Sequence, residues 1–265
     1  MRKTLLFTAT ALALLGAAVV AFVGRASAGS SSGSALGISI VLGPSDDVAI
    51  AHLVTSAGII TAGGEPNMSV GVFGVGAGPA GRTIFYGHIP NLPPSEPLPE
   101  RPKASGAHAT GLEKRLQRAA FKQWKEQYAA LMAAWNVERK AAVIKWARTH
   151  TGGLVNTPVR SHAPITQEDV AVALLRGATF FQHEGGTPYF VIIGDLPDMP
   201  PIQSARNLRF DGVTFVLAGW SYSSPSSFAI KVARWKGFLT SKGAAAVKVL
   251  PRGIDTTENI VSALR

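Results

Sequence analysis

The sequence predicts an α/β domain built on a doubly wound, mostly parallel sheet, with one antiparallel strand and a long inserted amphipathic helix. Three observations predict it. Short apolar runs at residues 189–193 and 213–218 end on glycine, the pattern of strands covered on both faces. Such runs alternate with helical segments opened by Ser, Thr or Asp. Hydrophobic residues make up 46% of the chain and charged residues 16%, which excludes a disordered polymer and suits a well-buried core.

Residues 35–42 form a β-branched, apolar run ending at Gly43-Pro44, read as a buried strand. Ser45, Asp46 and Asp47 then offer a cap and an acidic first turn to a helix through about residue 62, stopped by Gly63-Gly64. Residues 69–75 and 82–88 are the next strands, joined through glycine-rich 76–81 as a hairpin, which supplies the antiparallel member. Residues 91–107 are rich in Pro, Glu, Lys and Ser and read as a loop, and a helix follows over 110–149. Thr166 opens another helix through residue 181, with Glu168 and Asp169 in its first turn. After the two apolar strands, Ser224 or Ser226 begins a helix to residue 241, with Gly243 beyond its end. A strand at 246–250 and a helix at 255–264, capped by Asp255 or Thr256, complete the chain.

The first 28 residues stand apart from this domain. Arg2 and Lys3 precede an uncharged run over residues 4–24, followed by Arg25 and Ala26-Ser27-Ala28. That pattern fits a signal peptide, or an N-terminal membrane anchor if it is not cleaved. Either way the domain is expected to be exported, and membrane-anchored or secreted. Residues 29–35 are read as a Gly/Ser-rich tether, with the domain proper at 36–265 and residues 90–150 as its Pro-rich loop and basic helix. The chain has no cysteine, so disulfides and thiolate metal sites are excluded.

The formal net charge is +10, and most of it has one address. Residues 110–149 hold nine basic side chains and three acids. Leu112, Leu116, Ala120, Trp124, Tyr128, Leu131, Trp135, Ala142 and Trp146 are expected to share one helical face. The three tryptophans are spaced by eleven, which keeps them nearly in register. Lys114, Arg118, Lys122 and Lys125 lie mostly opposite. The favoured reading packs the Trp face on the domain or into a hairpin and leaves the basic face in solvent. An anionic membrane surface is a second reading. Nucleic-acid binding is a third, disfavoured by export and by the lack of a recognition motif.

Three oxygen-rich features fall at the expected carboxyl ends of strands: Ser45-Asp46-Asp47, Thr166 with Asp169, and Asp195 after the strand at 189–193. Gathered there, hydroxyls and carboxylates suit a hard divalent cation such as Mg²⁺ or Mn²⁺. This arrangement resembles the von Willebrand factor A (vWA) family, a Rossmann-like fold with a metal-ion-dependent adhesion site. The likeness covers roughly residues 36–250 without 90–150, and includes the run Leu208 to Val216 and the helix bearing Trp235. It implies Ser45, Asp47, Thr166 and Asp195 as metal ligands in a degenerate site, because Gly43 stands where the family has its first Asp and Asp47 where it has its second Ser. Without a ligand, Asp46, Asp47 and Asp169 still stabilise helix N-termini.

Asp169, Trp220 and Tyr222 are candidate partner contacts; the aromatic pair belongs to the loop Gly219-Trp220-Ser221-Tyr222-Ser223-Ser224-Pro225 at a strand end. No HExxH, Walker A, GxSxG or full GxGxxG motif is present, and the six histidines show no metal spacing. The expected function is therefore binding of a protein partner at the strand ends, with the membrane reached through the N-terminal segment. A hydrolase using Asp46, Asp47 or Asp195 as base is the enzymatic alternative, and no nucleophile–base pairing supports it.

Overall fold

Strand β1 (Ala35–Val41) is buried along its whole length, because it has a parallel neighbour on each side and helices above and below. In the computed structural model, residues 33–41, 46–76, 83–104, 110–154, 165–184, 186–221 and 223–265 are described. Helix α1 (Asp46–Gly63) leads to β2 (Ser69–Val75) and β3 (Thr83–His88). The long helix α2 (Gly111–Thr151) and α3 (Gln167–His183) precede β4 (Pro188–Ile193) and β5 (Thr214–Trp220). Helix α4 (Pro225–Ser241), β6 (Ala246–Pro251) and α5 (Thr257–Leu264) follow.

The six strands form one sheet in the order β3-β2-β1-β4-β5-β6. All pairings are parallel except β2 with β3, which is antiparallel. The α/β class, the antiparallel strand and the long inserted helix are as the sequence predicts. The chain builds outward from β1 through β2 to β3, then resumes on the other side of β1 with β4, β5 and β6. The switch point therefore lies between the carboxyl ends of β1 and β4, where such sheets open a crevice.

Side-chain alternation divides the core in two. Leu36, Ile38 and Ile40 of β1 face the layer of α1, α2 and α5, with Leu53, Ile59, Ile60, Val143 and Ile260. Ala35 and Val41 face the layer of α3 and α4, which is richer in aromatics: Phe190, Phe210, Phe215, Trp220 and Trp235. Burying each such ring contributes about 1.5–3 kcal/mol relative to exposure. The helix starts obey local rules. Thr110, Thr166 and Ser224 each form a reciprocal capping box with the residue three positions on, and Thr256 caps α5.

Helix α2 is an arm. Its buried residues are Val143, Ala147 and Thr151, all in the last three turns. There Trp146 stacks on His150 and meets Phe85 edge-on at 6.0 Å. The rest is partnered by the Pro-rich segment, which runs back along it. Trp135 Nε1 donates to the Leu92 carbonyl, Trp124 Nε1 to that of Pro99, and Gln117 Nε2 to that of Lys103, each at 2.9 Å. Arg101 lies over the Phe121 ring at 5.1 Å. The segment at 91–104 is thus a second, irregular limb of the arm.

The expected apolar face needs one correction. Leu112 and Leu116 are 68% and 62% exposed. Near the tip the contacts move to Gln117 and Phe121, because the extended segment follows a face rotated away from the leucines.

Candidate functional site

The carboxyl edge of the sheet gathers residues from four connections. Asp195 follows β4 directly. Its carboxylate accepts a hydrogen bond from Lys231 Nζ at 2.6 Å and another from the Ser221 hydroxyl. The Asp195 side chain is 43% exposed, whereas Lys231 is 7% exposed. Lys231 sits on the apolar stripe of α4, between Phe228 and Trp235 in helical register. Its ammonium also lies 3.6 Å from Asp198 Oδ1 and 5.1 Å from the centre of the Trp220 ring. A charge so far from water needs a partner, and Asp195 is that partner.

Thr166 and Asp169 stand at the amino end of α3. The Thr166 hydroxyl and backbone N–H both donate to Asp169 Oδ2, at 2.7 and 2.9 Å, while Asp169 N–H donates back to Thr166 Oγ1. Both side chains are thus occupied in closing the helix end. Ser45 and Tyr222 lie outside the described residues, as does the side chain of Asp47.

Trp220 was expected as a partner contact and is instead fully buried. It ends β5 and its ring meets Trp235 edge-on at 6.0 Å. An indole at that register points into the α3/α4 layer, so solvent reaches its neighbour Ser221 and not the ring.

On the other face of the same edge stands His52, one and a half turns into α1. Its Nδ1 lies 2.9 Å from the Val41 carbonyl oxygen. A carbonyl only accepts, so Nδ1 carries the proton and Nε2 is left as the acceptor. Burial holds the imidazole below its ordinary pKa, against smaller raising effects of the Val41 bond and the Asp255 carboxylate. Gly194 packs beside it with φ of +112°. A β-carbon there would stand 2.6 Å from Val41 Cβ and 3.0 Å from His52 Cε1. Gly219, with φ of +83°, would meet Asp255 Oδ2 and Gly194 N at 3.2 Å. Two left-handed glycines therefore let β4, β5 and the Asp255 loop close against one another at the switch point.

Among the described residues no three His, Cys, Asp or Glu side chains cluster in a way that could hold a metal ion. Asp195 already carries an ammonium, and Thr166 Oγ1 is held by Asp169. A shallow cavity of about 340 Å³ lies along the carboxyl-terminal half of α4, lined in part by Met199, Ile202 and Phe238; it includes neither Asp195 nor a histidine.

Lys231, His52 and Asp255 are not singled out by the sequence as site residues, and Ser221 enters only as part of the loop between Trp220 and Tyr222. Lys231 left a readable trace: a lysine inside the stripe Phe228, Val232, Trp235, Phe238 and Leu239 needs an anion. Comparison with protein-family models and with curated proteins finds no match. The sheet order, with β3 antiparallel, is compatible with a vWA or Rossmann-like fold.

Proposed function

We propose that this chain is an exported binding protein, held at or released from a membrane through its N-terminal segment, that engages a protein partner at the carboxyl edge of its sheet. The observation that carries the reading is the Asp195–Lys231 pair at the switch point. An exposed carboxylate is anchored there by a cation that cannot itself reach solvent. Its exposed oxygen surface and the neighbouring Ser221 and Ser223 offer a polar rim of the kind that orients a partner.

The finer version is a degenerate vWA adhesion site. In that version Ser45 and Asp47 would join Asp195 around Mg²⁺ or Mn²⁺. A cation would have to share Asp195 with the Lys231 ammonium, which raises the electrostatic cost of loading it. The favoured version therefore works without metal, with Lys231 holding the Asp195 carboxylate in place.

The partner reading is tested by placing a photo-crosslinking residue at Ser221 or Ser223 in the full chain, and at Asn67 on the opposite edge. Discrete adducts from the first two positions and none from the third are expected; adducts from neither rim position would end the proposal. Calorimetric titration of Mg²⁺ and Mn²⁺ decides the finer version. Heat from the wild type that vanishes in Asp195→Ala would establish the metal site and displace the metal-free one.

A further inference from the structure

The connection from β4 to β5 is pinned to α4 at two places. Near its start the Pro197 carbonyl accepts from Trp235 Nε1 at 2.8 Å, and near its end the Arg206 carbonyl accepts from Lys242 Nζ at 2.7 Å. Between the pins, Pro200 and Pro201 fix the backbone φ, and a gap of about 340 Å³ remains between this connection and the helix. Met199 and Ile202 line it from the connection, and are 42% and 56% exposed although both are large and apolar. Ile230, one turn before Arg234 on the same helical face, is exposed as well. Single exposed apolar side chains are ordinary on a surface, whereas three around one concavity mark a contact. Gly237 of α4 also lines the groove. It interrupts a helix interior, where alanine is the better former, yet a β-carbon there would meet nothing within 4 Å. Close packing inside the chain therefore does not require this glycine, and its bare position keeps the groove open.

The charge around the groove has one sign. Arg234 and Lys242 line it, and among the described residues no acid does. Arg234 is exposed and has no ion-pair partner among those residues. Lys242 gives one hydrogen bond to Arg206, and its ammonium lies 5.8 Å from the centre of the Phe238 ring, so it stands beside the apolar floor with donors to spare. Asp198, next to Met199, faces Lys231 at 3.6 Å instead. Arg234 and Lys242 are eight positions apart in the chain, about 12 Å along the helix axis.

We propose that this groove holds an extended segment of a partner protein in which two acidic residues flank three apolar ones. An extended chain rises about 3.3 Å per residue, so acids four positions apart span about 13 Å and match the two cations. Alternation puts the middle apolar residue on the same face as both acids, aimed into the groove between them. A bound helix, about 10–12 Å across, is too broad for a cavity of this size. A second copy of the chain fits poorly. Two α4 helices packed antiparallel about Phe238 would set Arg234 of each against Lys242 of the other. The groove lies farther along α4 than Lys231 and excludes Asp195, so this contact is separate from the rim at the strand ends and stands or falls without it.

The full chain is applied to arrayed synthetic peptides of the pattern acid, three apolar residues, acid, with every combination of Leu, Ile, Val, Phe and Trp at the apolar positions. A matched set carries lysine in place of the acids. Expected is binding confined to members of the acidic set. Arg234→Glu should weaken it about tenfold or more, as loss of a charge-assisted contact does, and shift the preference toward the lysine set. Gly237→Leu fills the groove and should abolish binding, while the denaturation midpoint stays level or rises because leucine is the better helix former. No bound acidic peptide, equal binding of the lysine set, or undiminished binding by the Gly237→Leu chain would overturn the proposal. Self-association of the chain that is lost in Gly237→Leu would assign the groove to a second copy and overturn it too. Co-sedimentation with phosphatidylglycerol vesicles that is lost in the same variant, without peptide binding, would assign the groove to lipid with the same result.

Discussion

Lys231 reaches Asp195 from 36 positions along the chain and closes to 2.6 Å, with the lysine buried and the aspartate at the surface. The asymmetry of exposure sets the consequences of breaking the pair.

Asp195→Ala removes the partner of a buried ammonium and leaves it only Asp198, at 3.6 Å. Loss of about 2–3 kcal/mol is expected, at or below the lower limit for broken buried pairs because Asp195 is partly solvated. Lys231→Met keeps the volume of the stem and leaves a carboxylate that water can reach, so a loss below about 1 kcal/mol is expected. Urea denaturation of the two variants checks the order. Equal losses would mean that Lys231 is not desolvated as the structure shows.

Glu184 should make stability depend on acid pH. It follows α3 and accepts hydrogen bonds from Ser69 of β2 and Tyr86 of β3. The Ser69 bond first, then the Tyr86 bond, holds its carboxyl below the ordinary range. A depressed folded value means stabilisation that is fully present above the unfolded carboxyl pKa. It declines as pH falls below that value and is gone once pH passes through the folded one. Glu184→Gln is expected to cost on the order of 1 kcal/mol at neutral pH, a modest figure for a solvent-screened group, and nothing below both values. Denaturation midpoints of both proteins between neutral and strongly acid pH should converge.

The arm should loosen without unfolding the domain. Trp124→Phe and Trp135→Phe each remove one indole N–H bond to a carbonyl of the Pro-rich segment. A loss near 1 kcal/mol per bond is expected locally. Hydrogen exchange should accelerate in α2 before Val143 and remain unchanged in β1, β4 and β5, since local and global opening are separate events for an element packed only at one end. Faster exchange of the central strands would show instead that the arm and sheet unfold as one unit.

How much of this was legible beforehand divides along physical lines. The helix start at Thr166 could be read, and the next one narrowed to Ser224 or Ser226, because a capping box spans only four residues. The hairpin of β2 and β3 could be read because its partners are neighbours in sequence. The Asp195 position at a strand end could be read from the apolar run before it. The burial of Trp220 could not, because strand alternation says that a side chain points to one face or the other but not whether a helix covers that face. Periodicity puts Leu112 and Leu116 on one face with Trp124 and Trp135 but does not reveal what lies alongside, and the two leucines are exposed while the two indoles are covered.

By itself the sequence determined the six strands and five helices of the described residues, the concentration of positive charge in one helix and the α/β class. Each of these follows from patterns of two to four residues, where steric and hydrogen-bonding preferences act. Only the tertiary structure decided that Lys231 neutralises Asp195 and that the Pro-rich segment shelters Trp124 and Trp135. Those contacts join residues 25 to 43 positions apart. Local preference carries no information over such distances; closure of the sheet and exclusion of water from its two faces do.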